Sequence, residues 1–256
     1  RASPTVQKRE DVDMSLSLNA TWNKTTRRGF GRGERLEPWR RSAFLRVMKT
    51  NLATAARYLP EGAESLSLTE VRRRAKRCRA CPLYRRGTQT VFGAGPARAR
   101  IVLVGEQPGD QEDRAGMPFV GPSGHLLDRA LADANIDRTT VYVTNAVKHF
   151  KWVPSGKRRL HQKPSAREIA ACKPWLETEI ALLQPQVVVA LGATAAQALM
   201  GPAFRVTKSR GQAFHVPWAK VFIATLHPSA ILRGPPEDRA AAYQAFVDDL
   251  KRIPRG

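Results

Sequence analysis

IVLVGEQPGDQED, residues 101–113, sets the expected fold, because it joins a continuous apolar run to a glycine-containing loop. A short apolar run that ends at glycine is typical of a strand buried in a parallel sheet. Similar runs predict three more strands, at VYVTN (141–145), QVVVALG (186–192) and VFIATLHP (221–228). Helical patterns separate or follow them at 122–134, 165–183, 193–200 and 236–253. This alternation predicts an α/β fold, a three-layer α/β/α sandwich with a four-stranded, mostly parallel sheet.

The chain carries a large excess of positive charge. Its 256 residues include 43 Lys and Arg against 22 Asp and Glu, which gives a formal net charge of +21. Such a field favours a polyanionic partner, most often nucleic acid, and an anionic membrane surface is the competing interpretation. No long helix pairs a lysine face with an apolar one, so the membrane interpretation is the weaker of the two.

The termini and cysteines bear on the compartment. There is no run of about 18 apolar residues, which excludes a transmembrane helix, and the N-terminal sequence RASPTVQKREDVDM is too polar for a secretory signal. Three cysteines are too few for a disulfide framework. We therefore expect a reduced intracellular compartment, the cytoplasm, with no membrane contact, and a monomer is the default expectation.

Charge and pattern set the N-terminal part of the chain apart. Residues 1–77 carry a net charge of +10, against +11 for the much longer stretch 78–256, and a regular pattern of elements begins only at residue 66. Residues 1–65 are expected to be a basic N-terminal extension, disordered or poorly packed, that adds nonspecific DNA affinity. One short amphipathic helix is predicted within this extension, at 42–59. Residues 66–256 carry the regular alternation and are expected to form a single domain.

Polar side chains follow three of the predicted strands. Glu106 comes directly after the first strand, Asn145 ends the second, and His227 ends the fourth. Ligands of such sheets bind beyond the carboxyl ends of the strands, so these side chains are expected to share one site. Each signal alone has an ordinary explanation, an acidic turn or a structural histidine. Their convergence on one sheet edge favours a functional site.

A basic segment with interleaved aromatic residues lies between the second strand and the next helix. KHFKWVPSGKRRLHQKP, residues 148–164, combines cations for phosphates with rings for base stacking, as a single-stranded nucleic acid channel needs. The expected DNA contacts in it are Lys157, Arg158 and Arg159. The neighbouring cations would lower the pKa of His161 and keep its imidazole neutral and nucleophilic. A solvated loop is the alternative.

The cysteines form a metal-binding pattern. Cys78 and Cys81 are a CxxC pair, and Cys172 lies in the predicted helix at 165–183. Thiolates at this spacing hold zinc or an iron–sulfur cluster, and His149 can supply a fourth ligand. In the alternative interpretation Cys172 is simply packed in its helix.

Several of these motifs together resemble the family 4 uracil-DNA glycosylases over about residues 72–252. They are GEQPGDQEDRAGMPFVGPSGHLLD, VYVTNAVKHFKW, EIAACKPWL, VVVALGATAAQALMG and LHPSAILR, in the family's order. The chain departs from the family at Lys148-His149, where the family usually has Lys-Cys, and at Gln107, where it has Ala. KRRLH (157–161) also lengthens the loop. These departures resemble the UdgX branch, whose members bind the uracil-containing strand covalently.

The resemblance implies a cofactor and a base-recognition site. A 4Fe–4S cluster with a structural role would be held by Cys78, Cys81, His149 and Cys172. The remaining implied roles concern the flipped base and the sugar. Asn145 would read uracil, Phe119 would stack on it, and the backbone near Gln107 would hold a carbonyl. His227 would stabilise the leaving uracil anion, and Glu106 would stabilise the cationic sugar or accept a proton.

The resemblance further implies a covalent end point. His161 would attack the sugar C1′ and remain bound to it, while Arg159 and Lys157 clamp phosphates. The expected substrate is uracil-containing DNA, preferably single-stranded. Two alternatives stay open: an ordinary family 4 enzyme that releases abasic DNA, and a non-catalytic nucleic-acid-binding protein that holds zinc or a cluster.

Overall fold

A computed structural model describes residues 54–254 of the chain. Its strands are β1 (Ile101–Gly105), β2 (Val141–Asn145), β3 (Trp152–Ser155), β4 (Arg158–His161), β5 (Val187–Leu191), β6 (Ala213–Val216) and β7 (Ala219–Thr225). Its α-helices are α1 (Leu68–Ala75), α2 (Asp110–Ala115), α3 (Pro122–Asp133), α4 (Ala166–Leu183), α5 (Ala193–Met200), α6 (Val206–Ser209), α7 (Pro228–Arg233) and α8 (Arg239–Lys251). Short 3-10 turns lie between them.

The central sheet has five strands in the order β2-β1-β5-β7-β6. The pairs β2–β1, β1–β5 and β5–β7 are parallel, which confirms the mostly parallel sheet. The predicted count of four strands is wrong, because β6 adds an antiparallel edge strand beside β7. Its sequence, AFHV, is only four residues long and is half exposed, so it lacks the continuous apolar run that marks the buried strands.

Helices cover both faces of this sheet, as the three-layer prediction requires. On one face, Leu127 of α3 and Phe246 of α8 pack in one apolar cluster with strand residues such as Val143. On the other face, Leu176 and Ile180 of α4 pack in a second cluster. Both faces are buried, which explains why the strand sequences are apolar throughout instead of alternating.

The strand register brings the expected site residues to one edge. Gly105 at the end of β1 pairs with Asn145 at the end of β2, and Leu191 of β5 pairs with Thr225 of β7. The segments that follow β1, β2 and β7 therefore begin at the same edge of the sheet, with β5 between β1 and β7. This edge is where the sheet topology predicts a ligand.

The compact unit begins before the predicted boundary at residue 66. Two 3-10 turns, Ala55–Tyr58 and Ala63–Ser65, pack on α4, and Ala55 is fully buried in a cluster with Trp175. Residues 1–53 of the expected extension, with most of the helix predicted at 42–59, lie outside the described residues. α1 ends at Ala75, three residues before Cys78 of the CxxC pair. Between residues 54 and 254, no helix has the length and apolarity that crossing a bilayer demands.

Glu177 of α4 makes the stability of the fold depend on pH. Burial raises the pKa of Glu177 to about 7, although Lys173 Nζ lies 3.5 Å from its carboxylate. The folded state therefore favours the protonated carboxyl group. The stability of the fold falls as pH rises from the unfolded pKa of about 4.3 through the folded pKa of about 7, because the carboxyl group must then ionise while buried. We expect Glu177→Gln to raise the free energy of unfolding by on the order of 1–3 kcal/mol at pH 8 and to change little at pH 4.

Denaturant unfolding of both proteins at the two pH values measures this difference. Glu237→Gln, which changes an exposed carboxylate, is the matched control. An equal gain from Glu177→Gln at pH 4 and pH 8 would contradict the prediction.

Candidate active site

The side chains of Asn145, Phe119 and His227 converge where β1 ends and form the candidate base pocket. A Cβ atom at Gly105 would lie 2.3 Å from Asn145 Oδ1 and 2.7 Å from the Phe119 ring, so only glycine lets these two side chains approach the strand end. Phe119 has a left-handed backbone (φ 57°), and an added Cβ at Gly124 would lie 1.9 Å from its carbonyl oxygen. The tight turn therefore fixes the Phe119 ring next to the Asn145 amide.

His227 adds a neutral hydrogen-bond donor to this pocket. It caps the N-terminus of α7, and its Nδ1 accepts from the Ser229 backbone N–H at 3.1 Å. Nδ1 is therefore unprotonated and the proton sits on Nε2. Burial, helped by Arg233 and His161, lowers the pKa of His227 to about 4. Its ring stacks on Phe119 with centroids 6.4 Å apart, which brings the third predicted strand end to the same pocket.

Glu106 is held between two elements. Its Oε2 accepts a hydrogen bond from the Thr194 hydroxyl at the start of α5, and its Oε1 lies 3.5 Å from His161 Nε2. Thr194 is a site residue that the sequence reasoning missed. Its position two residues after Gly192, the glycine that follows β5, was the available signal. The carboxylate is thereby fixed beside the imidazole.

His161 lies on a β-hairpin, in the segment that the sequence assigned to a loop. β3 and β4 pair antiparallel, Trp152 opposite His161, and Gly156 (φ 55°) with Lys157 forms the two-residue turn. Glycine with positive φ at the first turn position suits a type II′ hairpin. Successive side chains on β4 alternate between two faces, so Arg159 and His161 share one face.

Arg159 faces the protein instead of solvent. Its guanidinium forms ion pairs with Asp110 and with Asp113, the latter at 2.7 Å, and its Nη1 donates to Thr88 Oγ1 at 3.1 Å. These contacts differ from the predicted phosphate clamp, because two carboxylates already occupy the guanidinium. Arg159 therefore anchors the hairpin to α2. Lys157 is exposed at the turn, and its DNA contact stays a prediction, as does that of the exposed Arg158.

Gln107 holds the histidine side of the hairpin. Its Oε1 accepts from the Lys151 backbone N–H at 3.1 Å, and its Nε2 donates to the Gln162 carbonyl at 2.9 Å and to His161 Nε2 at 2.8 Å. The Gln107 side chain therefore hydrogen-bonds to the hairpin. The predicted role of the Gln107 backbone, which is to hold a uracil carbonyl, stays a prediction. Because His161 Nε2 accepts this bond, it carries a lone pair.

The imidazole of His161 is neutral at neutral pH. Partial burial lowers its pKa below the ordinary value, Arg233 lowers it further, and Glu106 opposes both. The direction agrees with the sequence prediction. The cause differs, because the neighbouring cations of the segment were expected to lower the pKa, whereas burial lowers it most and Arg233 of α7 adds to that effect.

The three cysteines gather in one apolar cluster. Cys78 and Cys172 are buried there with Cys81 at its edge, and none of them forms a disulfide. Burial raises the pKa of Cys172 to about 12, and the Lys148 backbone N–H donates to its Sγ at 3.2 Å. Thiols so placed ionise only with a cation nearby, and a backbone N–H on sulfur is a feature of iron–sulfur sites.

His149 is buried near these cysteines but has another partner. Its Nε2 lies 3.0 Å from Thr90 Oγ1, and burial lowers its pKa to about 4, which leaves a neutral ring able to ligate a metal. Within residues 54–254, no three His, Cys, Asp or Glu side chains stand close enough together to hold a metal ion. The thiols fit an iron–sulfur site in chemistry and burial, although they and His149 do not stand together as one group of ligands among the described residues.

A buried ion pair lies behind Asn145, and the sequence reasoning missed it. Lys148 Nζ donates to Glu179 of α4 and to the Asn145 carbonyl oxygen at 2.7 Å. Glu179 also accepts from Tyr142 Oη at 2.8 Å and from the Gly93 N–H at 3.0 Å. Three consecutive polar residues, 177–179, between the apolar Leu176 and Ile180 were the available signal.

Comparison with known proteins places this site in a family. The family model of the uracil DNA glycosylase superfamily matches residues 92–251. The type-4 uracil-DNA glycosylase of Thermotoga maritima is 42% identical over 64% of this chain and 82% of its own length. The type-4 enzyme of Archaeoglobus fulgidus is 35% identical over 73% of this chain and 92% of its own length. The corresponding Pyrobaculum aerophilum protein is 35% identical over 66% of this chain and 87% of its own length. Because the family model matches more than half of the chain and these relatives are 35–42% identical to it, this chain belongs to the uracil DNA glycosylase superfamily, with type-4 enzymes among its relatives.

Proposed function

We propose that this chain excises uracil from DNA, preferably single-stranded, and becomes joined to the abasic sugar through His161. The observation that carries the proposal is a neutral His161 whose Nε2 lone pair lies 3.5 Å from Glu106 Oε1, at the strand edge that also forms the ring pocket. The relatives named above are uracil-DNA glycosylases, which supports excision. The hairpin nucleophile supports the covalent end point.

Excision begins with a flipped uracil between Phe119 and the Asn145 amide. The amide carbonyl accepts from the uracil N3–H and its NH₂ donates to a ring carbonyl, a pattern that cytosine does not offer. As the glycosidic N1–C1′ bond breaks, its electron pair leaves with uracil. The Nε2–H of neutral His227 donates to the oxygen that becomes negative, which lowers the energy of the leaving anion.

The sugar then carries positive charge at C1′, beside the Glu106 carboxylate. The His161 Nε2 lone pair forms a new bond to C1′, and the proton on Nδ1 passes to solvent, which leaves a neutral alkylated imidazole. Gln107, which donates to Nε2 before reaction, must release it as the sugar arrives. The adduct persists because breaking the new C1′–N bond would require an activated leaving group, and the neutral alkylated imidazole is not activated.

We also propose that Cys78, Cys81, Cys172 and His149 hold a 4Fe–4S cluster. When bound, the cluster cross-links the CxxC segment to α4 and to the segment that follows Asn145. The Lys148 N–H, 3.2 Å from Cys172 Sγ, would remain a hydrogen bond to a thiolate ligand. His149 has to exchange Thr90 for the metal, which its neutral ring allows.

The cluster proposal predicts a visible iron–sulfur absorption band and iron and acid-labile sulfide in equal amounts in anaerobically purified protein. Cys172→Ser should remove most of both, whereas His149→Cys should keep them, because thiolate is the stronger ligand. Thr178→Ser, a small change on the same helix, is the control. Zinc without iron would contradict the cluster, and full iron content in Cys172→Ser would remove Cys172 from the ligand set.

A denaturing gel tests the function. The full chain is mixed with single-stranded oligonucleotides that contain one uracil or one thymine at the same position. We expect a heat- and detergent-stable shifted band with uracil alone. Free abasic DNA without the band would leave excision in place and remove the covalent step. Neither product from folded protein would contradict the proposed function.

A further inference from the structure

The segment around the CxxC pair is a second basic surface, separate from the hairpin turn. Residues 72–86, RRRAKRCRACPLYRR, contain eight Lys or Arg and no Asp or Glu. Arg73 and Arg74 of α1 share the Glu70 carboxylate. The exposed Arg79, Arg85 and Arg86 form no ion pair with any residue between 54 and 254. This density of uncompensated charge favours an anionic partner.

An aromatic ring lies among these cations. Tyr84 is half-buried. The Arg79 guanidinium lies 5.7 Å from its ring centroid, and the Arg85 guanidinium lies 5.8 Å from the same centroid. Arg85 Nε also lies 3.3 Å from Tyr84 Oη. A ring flanked by guanidinium groups is the combination that binds single strands, because the ring stacks on a base and the cations contact phosphates. We call Arg79, Tyr84, Arg85 and Arg86 the arginine–tyrosine surface.

This surface adjoins the proposed nucleophile. Trp152 Nε1 donates to the Arg86 carbonyl oxygen at 2.9 Å, and Arg86 Nη1 lies 3.5 Å from the Trp152 carbonyl oxygen. Trp152 is the direct cross-strand partner of His161 in the hairpin. Directly paired residues in antiparallel strands have Cα atoms about 4.5–5.5 Å apart. A strand whose sugar reaches His161 therefore meets Arg86 within the next nucleotides.

We propose that the arginine–tyrosine surface binds the DNA strand on one side of the excised uracil, with a base on Tyr84 and phosphates at Arg79 and Arg85. This inference rests on the proposed function for its strand direction, though not for the binding itself. Because stacking on tyrosine needs an unpaired base, the surface also gives a physical reason for a single-stranded substrate. Arg79 lies between Cys78 and Cys81 in the chain, and Arg86 contacts Trp152 of the hairpin, so the bound strand would extend from the CxxC segment to the hairpin.

Binding of a uracil-free, single-stranded thymine oligonucleotide to the full chain at several salt concentrations tests the surface. For Arg79→Gln/Arg85→Gln, we expect the slope of log Kobs against log salt to become shallower by about 1.4, since each lost contact to single strands contributes about 0.7. Tyr84→Leu should weaken binding about tenfold, mainly through lost stacking. The control is Arg205→Gln/Lys208→Gln, two exposed cations at α6 on the β7 side of the sheet.

A second measurement uses uracil oligonucleotides that lack nucleotides on the 5′ or on the 3′ side of uracil. The oligonucleotide truncated on the side that binds the arginine–tyrosine surface no longer reaches that surface. Adduct formation from this oligonucleotide should therefore be insensitive to Arg79→Gln/Arg85→Gln, whereas adduct formation from the other one should stay sensitive. Equal slopes for the arginine variant and the control, or equal sensitivity of both oligonucleotides, would overturn the proposal. If the unaltered chain forms neither adduct nor abasic DNA, the proposed function fails, while the thymine oligonucleotide still reports on the surface.

Discussion

His161→Ala should abolish the covalent DNA adduct and leave uracil excision in place. The groups assigned to bond breaking, Asn145 and His227, lie at the strand ends and do not depend on the hairpin. Removing the imidazole opens space next to Glu106, whose carboxylate is fixed by Thr194 and can orient a water toward C1′. We therefore expect complete loss of the shifted band, with free uracil and abasic DNA formed over several turnovers.

The measurement pairs the denaturing gel with quantified uracil release at substrate excess. His215→Ala, which removes an exposed histidine on β6, is the matched control and should form the adduct like the unaltered chain. A persistent adduct in His161→Ala would assign the nucleophile to a different side chain. Loss of both adduct and excision would mean that the imidazole takes part in bond breaking itself, so that Asn145 and His227 are not enough for excision.

The convergence of three strand ends at one edge of the sheet was predictable from the sequence, because the positions of the strand ends are themselves predictable. Apolar runs located β1, β2, β5 and β7, and the rule that ligands bind at carboxyl ends then brought Glu106, Asn145 and His227 together. The strand register agrees with this prediction, since Gly105 at the end of β1 pairs directly with Asn145 at the end of β2. None of these inferences needs knowledge of side-chain orientation.

The hairpin marks the limit of prediction from sequence. The charge of KRRLH indicates DNA contact, while its period-two alternation is too short to identify a strand of four residues. The partners of Arg159 are Asp110 and Asp113, which lie 49 and 46 residues earlier in the chain, so no local pattern reveals them. A cation predicted to contact DNA is consequently an internal anchor. Sequence locates charges, whereas only the fold decides which of them are already paired.

Glu179→Leu should destabilise the fold severely. The carboxylate is fully buried and accepts from Lys148, Tyr142, Thr144 and the Gly93 N–H. Removing it leaves the Lys148 ammonium, which is itself inaccessible to solvent, without a counter-charge. Breaking one side of such a pair costs about 3–5 kcal/mol. At about 2–4 °C per kcal/mol for a chain of this size, we expect the apparent Tm to fall by roughly 6–20 °C.

Thermal unfolding at one fixed scan rate measures this loss, with Glu237→Leu as a control that replaces an exposed carboxylate and should stay within about 0.5 kcal/mol. Lys148→Met/Glu179→Leu removes both charges and should lose clearly less than the sum of the two single changes, because neither partner is left buried alone. Additive losses would show that the two side chains act independently.

Because Lys148 also holds the Asn145 carbonyl, Glu179→Leu should slow single-turnover excision at temperatures where the variant is still folded. An unchanged rate there would mean that strand pairing with Gly105 is enough to place Asn145, and that the buried ion pair serves stability alone.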